Sequence, residues 1–172
     1  LDNIQTFIGQ LEPGAHLYMN VDCQQSMELL EALKDTISAN GIQVHLIGLS
    51  TSLSQKPGYP SFGLSHIQEW RPGCYEAEVT DEAGQSYCVL RLKVPGQHNL
   101  YNALCALAVS LDVGRCMGFA GAAQPMATAL YDFKGMGRRF ERLGYYNGAL
   151  LVDDYAHHPI EIEETLKSLK QI

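Results

Sequence analysis

The sequence predicts an α/β protein, and three observations carry the prediction. Two short apolar runs, at residues 16–21 and 43–48, bracket a stretch with helical periodicity. Three segments between residues 67 and 94 alternate with a period of two, and a final strand-then-helix pattern begins near residue 149. The expected architecture is a partial parallel sheet flanked by helices, an antiparallel three-stranded meander, and then the first strand and helix of a further unit.

Each element has its own warrant. Ile4, Phe7, Ile8 and Leu11 repeat at helical spacing until Pro13-Gly14 breaks the run. His16–Val21 reads as a buried strand. Asp22 is placed to cap the next helix, in which Met27, Leu30, Leu33 and Ile37 form one stripe. Asn40-Gly41 ends it, and Gln43–Gly48 is the second strand of a strand–helix–strand unit. Ser50–Ser65, rich in Ser, Pro and Gly, reads as loop. Ile67–Trp70, Tyr75–Thr80 and Ser86–Val94 form the meander, turned by Pro72-Gly73 and by Asp81–Gly84. In its middle strand Tyr75, Ala77 and Val79 should face one way and Glu76, Glu78 and Thr80 the other. Pro95-Gly96 stops the meander, and helices follow over Asn99–Leu111 and Gly118–Phe133. Lys134–Gly137 is a glycine-bearing junction. Beyond it a strand over Ala149–Val152 runs into Asp153-Asp154, and a helix starts at Pro159 with Glu161, Glu163 and Glu164 near its positive end.

Composition narrows the function. With 46% hydrophobic and only 18% charged residues among 172, the chain can bury a core and is not disordered. A balance of 19 acidic against 12 basic residues, net −7, argues against a nucleic-acid binder. The longest apolar stretch, near Ala103–Val109, falls far short of the ~20 residues a bilayer needs. The five cysteines are odd in number and lack CxxC spacing, so they read as free thiols of a reducing cytoplasm. Leu1 stands where an initiator methionine would, which suggests a processed protein or a fragment. The domain break is expected at the glycine junction, dividing residues 1–134 from 135–172.

Three clusters could carry chemistry. In Gly96–Asn102, His98, Asn99 and Asn102 stand at a loop-to-helix transition, with Asn99 and Asn102 on one side of the first turn. Amide side chains suit the donor–acceptor edge of a purine; the same spacing also serves a helix cap, with His98 packed beside it. Arg138 and Arg139 follow the glycine hinge and could clamp a phosphate, or simply be solvated. In Asp153–Pro159, two carboxylates end an apolar strand, where ligands bind in open α/β sheets. Asp154 could hold the two hydroxyls of a ribose there. Two histidines then precede a helix N-terminus suited to anions; the alternative is a turn whose Asp and His residues satisfy its own backbone. A phosphate loop, a G-x-S-x-G elbow and a G-x-G-x-x-G turn are all absent from the sequence.

In this order the clusters resemble the Mur ligase family of peptidoglycan synthesis. The matching stretches are Val94–Asn99 with Asn102 and Ala103, Gly135–Glu141, and Val152–Pro159 continued by Ile160–Ile162, Thr165 and Leu166. The resemblance implies the second half of the family's central ATP-binding domain (1–134) and the start of its C-terminal, dinucleotide-fold domain (135–172). It implies that His98, Asn99 and Asn102 approach the adenine and that Asp154 holds the ribose. Arg139 would approach the phosphates, and His157 would help organise the acyl-phosphate site. It also implies ATP and Mg2+, with the metal ligands upstream of this chain, and UDP-N-acetylmuramate and L-alanine as substrates. Nucleic acid and membrane are not expected partners, and an exposed sheet edge should let the isolated piece self-associate.

Three rivals stand beside this reading. One is the family member that recycles murein peptides, which shares the double histidine but tends to carry Phe at position 155 and Ala at position 161. A second is a folylpolyglutamate synthase-like protein, which usually lacks that double histidine. The third is a non-catalytic nucleotide-binding module. A phosphate loop encoded upstream of Leu1 would separate a ligase from such a module.

Overall fold

The computed structural model describes residues 2–56, 58–118 and 123–170. Five strands share one sheet in the order β1-β2-β3-β4-β5. β1 (His16–Asn20) pairs in parallel with β2 (Gln43–Leu49), His16 opposite Gln43 and Asn20 opposite Ile47. β2 in turn pairs in parallel with the start of β3 (Ser61–Arg71), Leu46 opposite Ser61. β4 (Cys74–Thr80) and β5 (Ser86–Arg91) complete the sheet. The two-residue link Pro72-Gly73 between β3 and β4 is possible only for antiparallel neighbours. The parallel strands and the meander are therefore both present, as the sequence predicts.

The described residues group into two compact units, the first made of Leu1–Ser65 and Glu78–Tyr87. Its core gathers Ile8 of α1 (Asp2–Gly9), Met19 of β1, Leu46 of β2, and Leu29, Leu30 and Ile37 from the intervening helical stretch. That stretch is not one helix. It is α2 (Gln24–Ala32) and α3 (Lys34–Ala39), separated by Leu33 at φ −106°, ψ 8°. Leu30 and Ile37, seven residues apart and therefore on one helical face, both still reach the core across this break. Nor does Asp22 cap α2. Its Oδ2 accepts from Leu49 N at 2.8 Å, and Cys23 occupies the cap position without a side-chain bond. The expected loop at 50–65 is partly ordered as α4 (Ser50–Leu53), which buries Leu53, and β3 begins at Ser61 because Ser61–Leu64 are buried. Thr80 is buried, with Ser50 Oγ at 2.6 Å from its hydroxyl.

The second unit comprises His66–Ala77 and Cys88–Ile172. Glu76 is likewise a buried polar residue of β4. Its carboxylate accepts from Gln68 and Arg91, and the Arg91 guanidinium holds it below the usual carboxylate range. Helix α5 (His98–Cys116) buries Leu100, Leu104, Leu107, Ala108 and Leu111 along one stripe and packs against α6 (Ala123–Tyr131), which buries Ala123 and Ala127. The start expected for the second of these helices includes residues 119–122, which lie outside the described residues. After the junction the chain forms an antiparallel hairpin, β6 (Glu141–Tyr146) and β7 (Ala149–Asp153), and then α7 (Pro159–Leu169). β6 is an addition to the expected single strand and helix. Residues on both sides of position 134 lie in this one unit. All five cysteines are free thiols. Among the described residues, no helix is long and apolar enough to cross a membrane.

Candidate functional site

The second unit holds a cleft of about 750 Å³, within the range typical of small-molecule sites. Leu92, Val94, Ala106, Leu130 and Phe133 supply apolar wall. His98, Asn99 and Asn102 enter from the first turns of α5, Arg139 from the junction and Asp154 from the end of β7. Five of the six expected site residues therefore line one cleft. The sixth, His157, does not line it.

The α5 side is built around a tight entry. Gly96 is left-handed at φ +98°, and its N–H donates to Gly73 O at 2.8 Å, tying the entry to the β3–β4 turn. Gln97, not Asn99, occupies the helix-cap position, and it makes no side-chain cap bond. Asn99 instead donates from Nδ2 to Pro95 O at 2.6 Å and accepts from Asn102 Nδ2 at 3.3 Å. The simple capping reading of Asn99 is thus overturned, because its amide folds back on the preceding loop. His98 presents a buried Nδ1 with no hydrogen-bond partner among the described residues. Burial lowers its pKa below the ordinary imidazole value, against the opposing pull of Glu164 and Asp154. The unfolded chain takes up this proton near pH 6.5, whereas the folded chain resists it to lower pH. The contribution to stability is therefore complete above about pH 6.5 and is lost as pH falls through the lowered value. Melting temperature should fall between pH 7 and pH 5, and His98→Gln should flatten that decline; an identical slope in the variant would refute the assignment.

The junction side rests on Asp154. Its Oδ2 accepts from Phe140 N at 2.9 Å and from Thr165 Oγ1 at 3.3 Å, and its Oδ1 from Ala156 N at 2.8 Å. Arg138 and Phe140 flank Arg139 at φ +59° and +51°, conformations that side-chain-bearing residues adopt only when surrounding bonds enforce them. The enforcing bonds are Arg138 N to Glu141 Oε2 (2.7 Å), Tyr155 N to Arg138 O (2.8 Å) and the Phe140–Asp154 bond. Both guanidinium groups lie near the Tyr155 ring, at 5.1 Å for Arg138 and 5.8 Å for Arg139. Arg138 pairs with Asp153 at 3.6 Å, and Arg139 stands 3.9 Å from Glu161.

Helix α7 starts with a complete cap. His158 Nδ1 accepts from Ile160 N, and Glu161 Oε2 accepts from the His157 and His158 amides at 3.3 Å each. These amides hold Glu161 below its usual pKa. The helix start, expected to be an open anion site, thus has its first donors already taken. His157 is exposed, with Nδ1 3.1 Å from Tyr155 O and 3.6 Å from Glu161. Glu164 pairs with Lys167, whose pKa rises above its ordinary value through Glu164 and Glu163. The cleft carboxylates are thus engaged inside the protein and offer no ready cage to a divalent cation. The reading from sequence passed over Thr165 and Glu164 as cleft residues. The available signal was polar spacing: Glu161, Glu164, Thr165 and Ser168 fall three or four apart on one face of α7.

Residues 138–172 match the family model described as Mur ligase, glutamate ligase domain. The chain is 38% identical over 147 residues to the UDP-N-acetylmuramate–L-alanine ligase of Synechococcus sp. (strain JA-3-3Ab), covering 86% of this chain and 26% of that protein. It is 52% identical over 83 residues to the ligase of the same name from Pelotomaculum thermopropionicum, covering 48% and 17%. It is 40% identical over 100 residues to that of Caldicellulosiruptor saccharolyticus, covering 58% and 21%. The chain thus spans about a quarter or less of these relatives. In fold it is similar to an FPGS–AMPPCP complex, with TM-score 0.73, 16% identity and coverage of 97% of this chain and 37% of that one. It is also similar to the murein peptide ligase mpl of Psychrobacter arcticus 273-4, with TM-score 0.59, 22% identity and coverage of 98% and 32%.

Proposed function

The chain belongs to the Mur ligase family, and we propose that it is a segment of an enzyme that joins L-alanine to UDP-N-acetylmuramate in peptidoglycan precursor synthesis. On this reading residues 1–134 are the second half of the ATP-binding domain and residues 135–172 the start of the C-terminal one. The observation that carries it is the convergence of His98, Asn99, Asn102, Arg139 and Asp154 on one apolar-walled cleft, in a chain whose relatives bear that ligase's name. In this reaction class the UDP-N-acetylmuramate carboxylate is activated by phosphoryl transfer from ATP and then attacked by the amino group of L-alanine.

The cleft suits an adenine nucleoside. A flat ring can lie against Val94, Ala106 and Phe133, while the half-buried His98 and the Asn102 amide address its polar edge. Asp154 receives the ribose. Arg139 reaches toward the phosphates from the junction, where its fork can stabilise developing phosphoryl charge. His157, on the surface beside Glu161, helps organise the acyl-phosphate end. Magnesium is held by residues of the longer protein outside this chain, and the setting is the cytoplasm. The apolar side chains left exposed on the hairpin, Leu143, Tyr145, Tyr146 and Leu151, support self-association of the isolated piece.

The complete gene product should release phosphate when given ATP, magnesium, UDP-N-acetylmuramate and L-alanine. Release with a murein peptide in place of L-alanine, and none with L-alanine, would establish the recycling ligase instead. Arg139→Lys keeps the charge but loses the fork. It should lower kcat roughly tenfold or more while changing ATP binding little. Equal loss in both would make Arg139 a ground-state binding residue.

A further inference from the structure

Asp154 is more heavily engaged than a ligand-binding carboxylate needs to be. A carboxylate offers about four acceptor positions. Oδ2 uses both of its own, on Phe140 N at 2.9 Å and Thr165 Oγ1 at 3.3 Å. Oδ1 uses one, on Ala156 N at 2.8 Å, and keeps one open. The donors come from three directions: the junction, the loop after β7, and α7. Together they fix the rotamer of a side chain that lines the cleft.

We propose that Thr165 is a positioning residue which, with the Phe140 amide, saturates Asp154 Oδ2 and leaves the carboxylate able to accept from one ribose hydroxyl only. The assignment rests on the nucleotide reading above and refines it. A carboxylate with both oxygens open takes the two vicinal hydroxyls of a ribose together, one on each oxygen, and the sequence suggests that arrangement for Asp154. The structure forbids it, because the second oxygen has no acceptor position left. Thr165 lies one turn beyond Glu161 on α7, and its hydroxyl is the only side-chain donor among Asp154's three hydrogen-bond partners described above. Removing it therefore reopens Oδ2 without touching the two backbone bonds.

The consequence is asymmetric sugar recognition. Deleting the hydroxyl that Asp154 accepts removes a charge-assisted bond, whereas deleting its neighbour removes nothing. The test is equilibrium binding of ATP, 2′-deoxy-ATP and 3′-deoxy-ATP to the complete gene product, wild type and Thr165→Val. In the wild type one deoxy analogue should bind about tenfold or more weaker than ATP and the other within about threefold. In Thr165→Val the gap between the two analogues should close to within about threefold, while ATP itself still binds. A purely structural role for Thr165 would alter melting temperature without moving that ratio. Equal losses with both analogues in the wild type, losses with neither, or an unchanged gap in Thr165→Val would each overturn the assignment. Absence of saturable ATP binding in the wild type is a separate outcome, which overturns the nucleotide reading and this assignment with it.

Discussion

Asp154→Ala is expected to destabilise the chain by about 3 kcal/mol, and not only to weaken nucleotide binding. The substitution strands the Phe140 and Ala156 amides and the Thr165 hydroxyl, all of which now donate to the carboxylate. Bonds to a charged acceptor contribute about 1.5–3 kcal/mol each, and water entering this partly open site recovers some of that loss. The Phe140 amide matters most, because Phe140 sits at φ +51° and the bond helps hold it there. For a chain of this size the loss corresponds to a drop of about 10 °C in melting temperature. Asp154→Asn should fall between wild type and alanine, since its amide oxygen can still accept on one side while its NH2 faces a donor. A melting temperature within about 2 °C of wild type for the alanine variant would show that the junction is held by other means. The result also governs how kinetics are read: a raised KM for ATP in Asp154→Ala mixes lost contact with a loosened junction, whereas Thr165→Val separates the two.

The parts of the fold legible in sequence are those where a single periodicity decides the outcome. The apolar run of β2 is buried on both faces and reads as an uninterrupted strand, and β1, with Met19 buried and Leu17, Tyr18 and Asn20 half-buried, reads as its shorter neighbour. The α5 stripe from Leu100 to Leu111 follows helical spacing without exception. Misreadings occurred where a tertiary partner overruled a local preference. Asp22 is a good cap by type, yet the Leu49 amide takes its carboxylate. Glu76 and Thr80 alternate with their apolar neighbours as the sequence predicts, and Arg91 and Ser50 supply the partners with which both are buried, which no local pattern expresses. β6 escaped because its residues are mostly exposed and carry no alternation. Asn147-Gly148, with φ of +49° and +82°, was the available hairpin signal, and it fits the turn type that two-residue hairpins prefer.

The candidate site was legible to a similar depth. Residue types and motif order were enough to bring His98, Asn99, Asn102, Arg139 and Asp154 together. What the sequence could not express is how much of each side chain is already spent. Asp154 has three internal donors, Glu161 caps α7, and Asn99 is bound to Pro95 O. Hydrogen-bond capacity is a property of three-dimensional neighbours, and it decides whether a polar residue in a cleft is free to meet a ligand.

The entry to α5 gives the other large expected effect, and it can be resolved into two causes. Gly96 stands at φ +98°, where an L side chain costs about 1–2 kcal/mol before any contact is counted. A β-carbon there would also lie 2.5 Å from His98 Cε1, 2.8 Å from His98 Nδ1 and 3.0 Å from Ser168 Oγ. Overpacking of this kind adds about 1–3 kcal/mol. Gly96→Ala should therefore cost about 3 kcal/mol in total, read from thermal or denaturant unfolding. The steric share can be isolated because its main obstacle is one imidazole. In a Gly96→Ala/His98→Ala double variant the ring is gone and only the backbone cost and the Ser168 contact persist. The double variant should thus lose less stability than the sum of the two single variants, by about 1 kcal/mol or more. Additive losses would mean that His98 moves aside freely, and that its half-buried position over Gly96 is a consequence of available space and not of the backbone turn.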